Sequence, residues 1–110
     1  FRPGMLARAL SGEGMTLSVI EITPDTYVPE HSQEHEALAM LVRGSATLHV
    51  GPKPYPLRPG SIWRLQGHVE HSLQVGQEGA VLVASFAPRR DDWDQLGRME
   101  VSPPVWPDGS

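Results

Sequence analysis

Apolar residues recur along this chain in short runs, often alternating with polar ones, and no stretch sustains the repeat of about 3.6 residues that marks an amphipathic helix. That pattern predicts strands throughout. Met5–Leu10 and Met15–Ile22 flank Ser11-Gly12-Glu13-Gly14, a hairpin-type connection, and Thr23-Pro24-Asp25 closes the second strand. Tyr27–His31 reads as an extended segment that Pro29 marks as an edge or a strand start. Ala37–Arg43 is strongly apolar and ends at Gly44, Ala46–Val50 alternates, and Gly51-Pro52-Lys53-Pro54 turns the chain back into Tyr55–Leu57. After the Pro59-Gly60 turn come Ser61–Leu65, His71–Val75 and Ala80–Ala87, the last two joined by Gly76-Gln77-Glu78-Gly79. The only helical turn expected is Arg90–Leu96, with Asp91, Asp92 and Asp94 suited to its first turn. Roughly eight or nine short strands with frequent turns predict an all-β fold, a small antiparallel sandwich or barrel.

Composition narrows what such a barrel can do. The 110 residues suffice for one domain with a core of its own. Residues 1–100 are expected to form it, and residues 101–110 a Pro-rich tail that cannot continue as helix or central strand. Cysteine is absent, which excludes disulfides, thiolate metal sites and cysteine nucleophiles. A net charge of −4, with eight arginines scattered along the chain, gives no basic face, so no nucleic-acid partner is expected. No apolar run approaches the ~20 residues of a membrane span and no signal-peptide pattern opens the chain, so no membrane partner and a cytoplasmic location are expected. Neither a Gly-x-Ser-x-Gly motif nor a phosphate-binding glycine loop is present.

Candidate chemistry concentrates in two histidine clusters, His31-Ser32-Gln33-Glu34-His35-Glu36 and Gly67-His68-Val69-Glu70-His71. Along an extended segment, residues 31, 33, 35 and 37 share one side. His31, Gln33 and His35 could thus form one face, to which the second cluster brings His71. Three imidazoles and a water would make an open metal site, and a Gln carbonyl is a feeble further donor. The alternative is a metal-free pocket of hydrogen-bonded histidines. Glu36 and Glu70 are the nearest carboxylates, either solvated or positioned to orient an imidazole. His68 reads as a turn residue and His49 as a surface or interface residue. Arg8, Arg43 and Arg64 are the candidates to hold a substrate carboxylate, Arg64 above all. Tyr27, Met40 and Trp63 would suit an apolar pocket wall or an ordinary core.

The two clusters also carry a resemblance. His31 through Gly44 is similar to the first motif of the cupin superfamily, His-x-His-x(3,4)-Glu/Gln-x(6)-Gly. Arg58-Pro59-Gly60-Ser61 through His68-Val69-Glu70-His71 is similar to the second, and Phe86-Ala87-Pro88-Arg89-Arg90-Asp91-Asp92-Trp93 resembles the close of small single-domain cupins. Among these the chain is most similar to cupins of pectin and uronate breakdown, over roughly residues 5 to 95. The resemblance implies a jelly-roll (double-stranded β-helix) barrel and one divalent metal such as Zn, Ni, Fe or Mn. Residue by residue, His31 and His71 match metal ligands, whereas Gln33 stands where a second histidine belongs and Ala37 where a Glu or Gln belongs. The implied function is a small-molecule enzyme, a metal-assisted isomerisation or tautomerisation of a sugar acid or related oxygenated acid. The alternative is a metal-free cupin that binds or senses a small molecule without catalysis. A homodimer, formed through sheet edges or exchange of the Pro-rich ends, is also expected.

Overall fold

The structure is a computed structural model that describes residues 4–31 and 35–88, with the side chains of Glu30 and His31 outside that description. The described residues form strands and turns with no helix, and none of them therefore belongs to a helix able to cross a membrane. Seven strands follow in order: β1 (Met5–Ser11), β2 (Thr16–Ile22), β3 (Tyr27–His31), β4 (Glu36–Val50), β5 (Lys53–Leu57), β6 (Ile62–Leu65) and β7 (His71–Ala87). Every pairing among them is antiparallel. The expected helical turn at Arg90–Leu96 and the tail at 101–110 fall outside the described residues.

Two long strands hold the barrel together. β4 and β7 pair along most of their length, from Glu36 opposite Ala87 to Val50 opposite His71. Their first contacts belong to a layer ordered β1-β2-β7-β4 with β6 on the far side of β4. Beyond Gly44, the same two strands are flanked instead by β3 and β5. The chain therefore has fewer and longer strands than the punctuation suggests. Gly44 and Gly76–Gly79 read as turns in sequence, yet register shifts at Leu41/Arg43 and Gly44/Ala46 carry β4 from one layer to the other without ending it. Gly44 has φ +89, and a Cβ there would collide with the carbonyl oxygen of Gly79. Only glycine lets the two backbones come this close.

Alternation then sorts the side chains. Thr16, Ser18, Ile20 and Ile22 of β2 are buried, as are Ala37 and Leu41 of β4 and Leu82, Ala84 and Phe86 of β7. Ala46 and Leu48 continue that inner face in the second layer, opposite Val75 and Leu73. Two buried hydroxyls inside this apolar interior are satisfied locally: Ser18 Oγ donates to the Ala84 carbonyl at 3.1 Å, and Thr16 Oγ1 lies 2.7 Å from Ser11 Oγ.

Candidate functional site

The second layer leaves space between its inner face and β6. Leu48 and Val50 face inward from β4, Tyr55 and Leu57 from β5, and Trp63 and Leu65 from β6. With Val69 from the turn before β7 they line a cavity of about 560 Å³, in the range of a small-molecule site. Ser61, Arg64 and Gln66 supply its polar edge.

His71 is not part of this lining but adjoins two of its residues, Val50 and Val69. It opens β7 directly opposite Val50, a lining residue, and shares the buried inner face with Leu73 and Val75. Its Nδ1 lies 3.0 Å from the carbonyl oxygen of Val69, another lining residue. A carbonyl can only accept, so Nδ1 carries the proton and the neutral ring has its lone pair on Nε2. The turn that makes this possible runs through His68, which is exposed and has φ +67. A left-handed residue there reverses the chain in time for Val69 to face the imidazole that follows.

The other expected residues are not all gathered here. Trp63 is in the wall and Arg64 at the edge. Tyr27 and Met40 are not brought to them: Tyr27 pairs with exposed Gln74 and Met40 with exposed Ile62, so both project from the outside of the barrel. Each lies one residue out of step with an inward neighbour, Val28 or Leu41, and a single-residue offset reverses the face. Arg8 is likewise outside and is held by Glu21 at 3.5 Å. His35 is buried just before β4, while Glu36 and Glu70 are exposed. The register pairs backbone position 31 with position 71, whereas the His31 side chain and all of Gln33 lie outside the described residues. Tyr55, Leu48, Val50, Leu57 and Val69 were not anticipated as lining residues. The alternation of Ala46–Val50 carried the signal for two of them, and the short Tyr55–Leu57 strand carried it for two more.

For a metal, the described donors fall short. His71 has the ring arrangement of a metal ligand, its second nitrogen fixed by a backbone carbonyl. Ala37 offers no donor and is packed in the core opposite Leu65 and Phe86. Among the described residues no three His, Asp or Glu side chains come together as a metal site. No chemical step is therefore routed through a metal here.

The signature of the family described as Cupin domain matches residues 18–86, which include β2 to β7 almost entirely. The chain belongs to the cupin family. Solved structures agree on the fold. KdgF from a Halomonas species superposes with a TM-score of 0.78 at 19% identity, covering 84% of this chain and 86% of that one. An RmlC-like cupin from Shewanella frigidimarina gives 0.77 at 20% identity, covering 84% of each chain. Ectoine synthase from P. lautus gives 0.76 at 22% identity, covering all of this cupin and 84% of its own chain. No curated protein matches the sequence.

Proposed function

We propose that this cupin takes a small oxygenated organic acid into the barrel and moves a proton on it, an isomerisation or tautomerisation with His71 as the transferring group. The observation that carries this reading is the cavity itself, with the His71 imidazole held beside two of its lining residues, Val50 and Val69. The Trp63 and Tyr55 rings offer faces for the C–H surface of a ring or chain, and Arg64 at the edge suits a carboxylate. The lone pair on His71 Nε2 suits removal of an acidic proton next to a carbonyl, and the resulting imidazolium can return it to a neighbouring atom. A structural neighbour named for a small-molecule synthase, the ectoine synthase, is in keeping with small-molecule chemistry on this fold.

The test is a titration of the protein with uronates, 2-keto acids and aromatic carboxylates, followed by Trp fluorescence. Ligands that bind are then incubated with protein in D2O, and loss of the proton next to the carbonyl is followed by NMR. Binding with exchange that His71→Gln abolishes supports the reading. Binding without exchange reduces the protein to a binding or sensing module, and no binding across the panel overturns the site. A second reading, metal-assisted catalysis on the same acid, is favoured by the pairing of positions 31 and 71 and by the way Val69 fixes the His71 ring. Stoichiometric Zn, Ni, Fe or Mn in untagged protein would support it, through His31, Gln33, His35 and His71 as donors.

A further inference from the structure

The cavity lies between two edge strands, β5 and β6, whose free edges differ in chemistry. In β5, Pro54 and Pro56 stand opposite His49 and Thr47 of β4. Proline cannot donate to a ladder, so these are the positions whose backbone turns away from β4, and there the β5 edge offers carbonyls and no N–H. In β6 donors are present. Leu41 N–H donates to the Ser61 carbonyl at 3.0 Å, which sets the alternation of the ladder. Trp63 then bonds β4 opposite Ala39, while Ile62 and Arg64 turn their N–H groups away from it. No other described strand pairs with β6, so among the described residues both N–H groups lie at an open edge. Ile62 and Arg64 are exposed, yet both belong to the cavity lining, which therefore reaches that edge.

The polar side chains of the lining gather on the same side. Ser61, Arg64 and Gln66 all lie in β6 or next to it, and Ser61 Oγ is already engaged by the Arg58 N–H at 3.0 Å. Among the described residues no carboxylate is within ion-pair distance of Arg64. The walls from β4 and β5 present Leu48, Val50 and Leu57, and there Tyr55 alone carries a hydroxyl.

We infer that the ligand of this cavity is a monocarboxylic 2-keto acid with an apolar body, aromatic or branched, rather than a sugar acid. The Arg64 guanidinium and the outward N–H groups of β6 receive its carboxylate, a pairing of charged and backbone donors that suits two oxygens. Its body lies against Leu48, Val50, Leu57 and Trp63. A uronate carries hydroxyls around its ring, and against these aliphatic walls they would lose water without gaining partners. The keto group gives the acid the weakly acidic C–H that the proposed proton transfer needs. This class of ligand presupposes the cavity as the site of an organic acid, as proposed above, and narrows the acid it takes.

Isothermal calorimetry of the full chain with 4-methyl-2-oxopentanoate, phenylpyruvate and galacturonate is the test. At least one of the two keto acids should bind about 100-fold more tightly than galacturonate. Arg64→Gln, an exchange at an exposed position, should weaken that keto acid by about tenfold or more while the melting temperature stays at the parent's. Galacturonate that binds as tightly as the keto acids, or more tightly, overturns the inference and leaves the cavity as an acid site. A keto acid that binds Arg64→Gln as tightly as the parent overturns it too, because its carboxylate then lies elsewhere. If none of the three binds, the cavity is not an acid site, and the inference falls together with the reading beneath it.

Discussion

Replacing Gly44 by alanine tests whether the close crossing of β4 and β7 governs the fold. An added Cβ at this position meets the carbonyl oxygen of Gly79, with the Gly79 carbonyl carbon at 2.8 Å and Ala80 Cα at 3.0 Å. All three atoms are backbone, so no side chain can swing aside and β7 itself has to move. Gly60 provides the control, since its φ of +95 is close to the +89 of Gly44 while a Cβ there would meet nothing within 4 Å. Both alanine variants bear the left-handed backbone penalty of about 1–2 kcal/mol. Gly44→Ala alone adds a packing conflict of about 1–3 kcal/mol. Gly60→Ala should therefore lose about 1–2 kcal/mol and Gly44→Ala about 2–5, out of a total of roughly 5–15 for a domain of this kind. At about 4 °C per kcal/mol the melting temperatures should fall by about 4–8 °C and about 8–20 °C. Thermal melts and urea titrations followed by circular dichroism give both numbers. Equal losses in the two variants would mean that Gly44 supplies only a backbone angle, and that the register shift does not depend on the contact with Gly79.

Trp63→Ala should abolish ligand-induced changes in fluorescence and weaken binding of any acid that the parent accepts, at a stability cost of about 1–3 kcal/mol for a half-buried ring. Isothermal calorimetry and a melt on the same preparation separate the two effects, and unchanged affinity would remove Trp63 from the site. Ser18→Ala deletes the hydroxyl that donates to the Ala84 carbonyl inside the barrel and should cost about 1 kcal/mol in urea unfolding. A gain in stability there would show that the hydroxyl is worse than a methyl group in this interior.

What the sequence revealed and what it hid follow from how local each signal is. The Ser11–Gly14 and Gly51-Pro52 connections are short hairpins between alternating runs, and β1, β2 and β5 emerged close to where the pattern put them. β4 and β7 did not, because a glycine that permits a bulge and a glycine that ends a strand look the same in a sequence. Whether Gly44 turns the chain depends on Gly79, thirty-five positions away. The same limit decided the pocket residues. Trp63 and Tyr27 are both aromatics in short strands, but only the register of β6 on Ala39 and of β3 on Gln74 separates the inner one from the outer one. His71 stood out in the sequence by its cluster, whereas its hydrogen bond to Val69 depends on a left-handed histidine that no propensity favours strongly.

Position 37 connects the packing of the barrel to the question of its chemistry. Ala37 is 4% exposed and lies between Leu65 of β6 and Phe86 of β7, so the position where the resemblance implies a Glu or Gln ligand is filled here as ordinary core. A glutamate in its place would have to displace those side chains, at about 1–3 kcal/mol. It would also take a carboxyl group out of water at several kcal/mol more. Ala37→Glu alone should consequently unfold a large fraction of the protein. Combined with Gln33→His, it restores the donors that the family pattern expects beside His31 and His71, and a bound ion would then offset the cost of burial. At a Zn or Ni concentration about 100-fold above the dissociation constant, that linkage is worth about 2.7 kcal/mol, or roughly 10 °C of melting temperature. The parent, with Gln33 and Ala37, should respond to the same ion far less. If the double variant is too unstable to purify, Ala37→Gln with Gln33→His offers a neutral donor with no buried charge and should show the same metal-dependent rise. Melting curves of double variant and parent that respond alike to the ion would mean that positions 33 and 37 do not converge on His71, and the family's ligand geometry would not apply to this barrel.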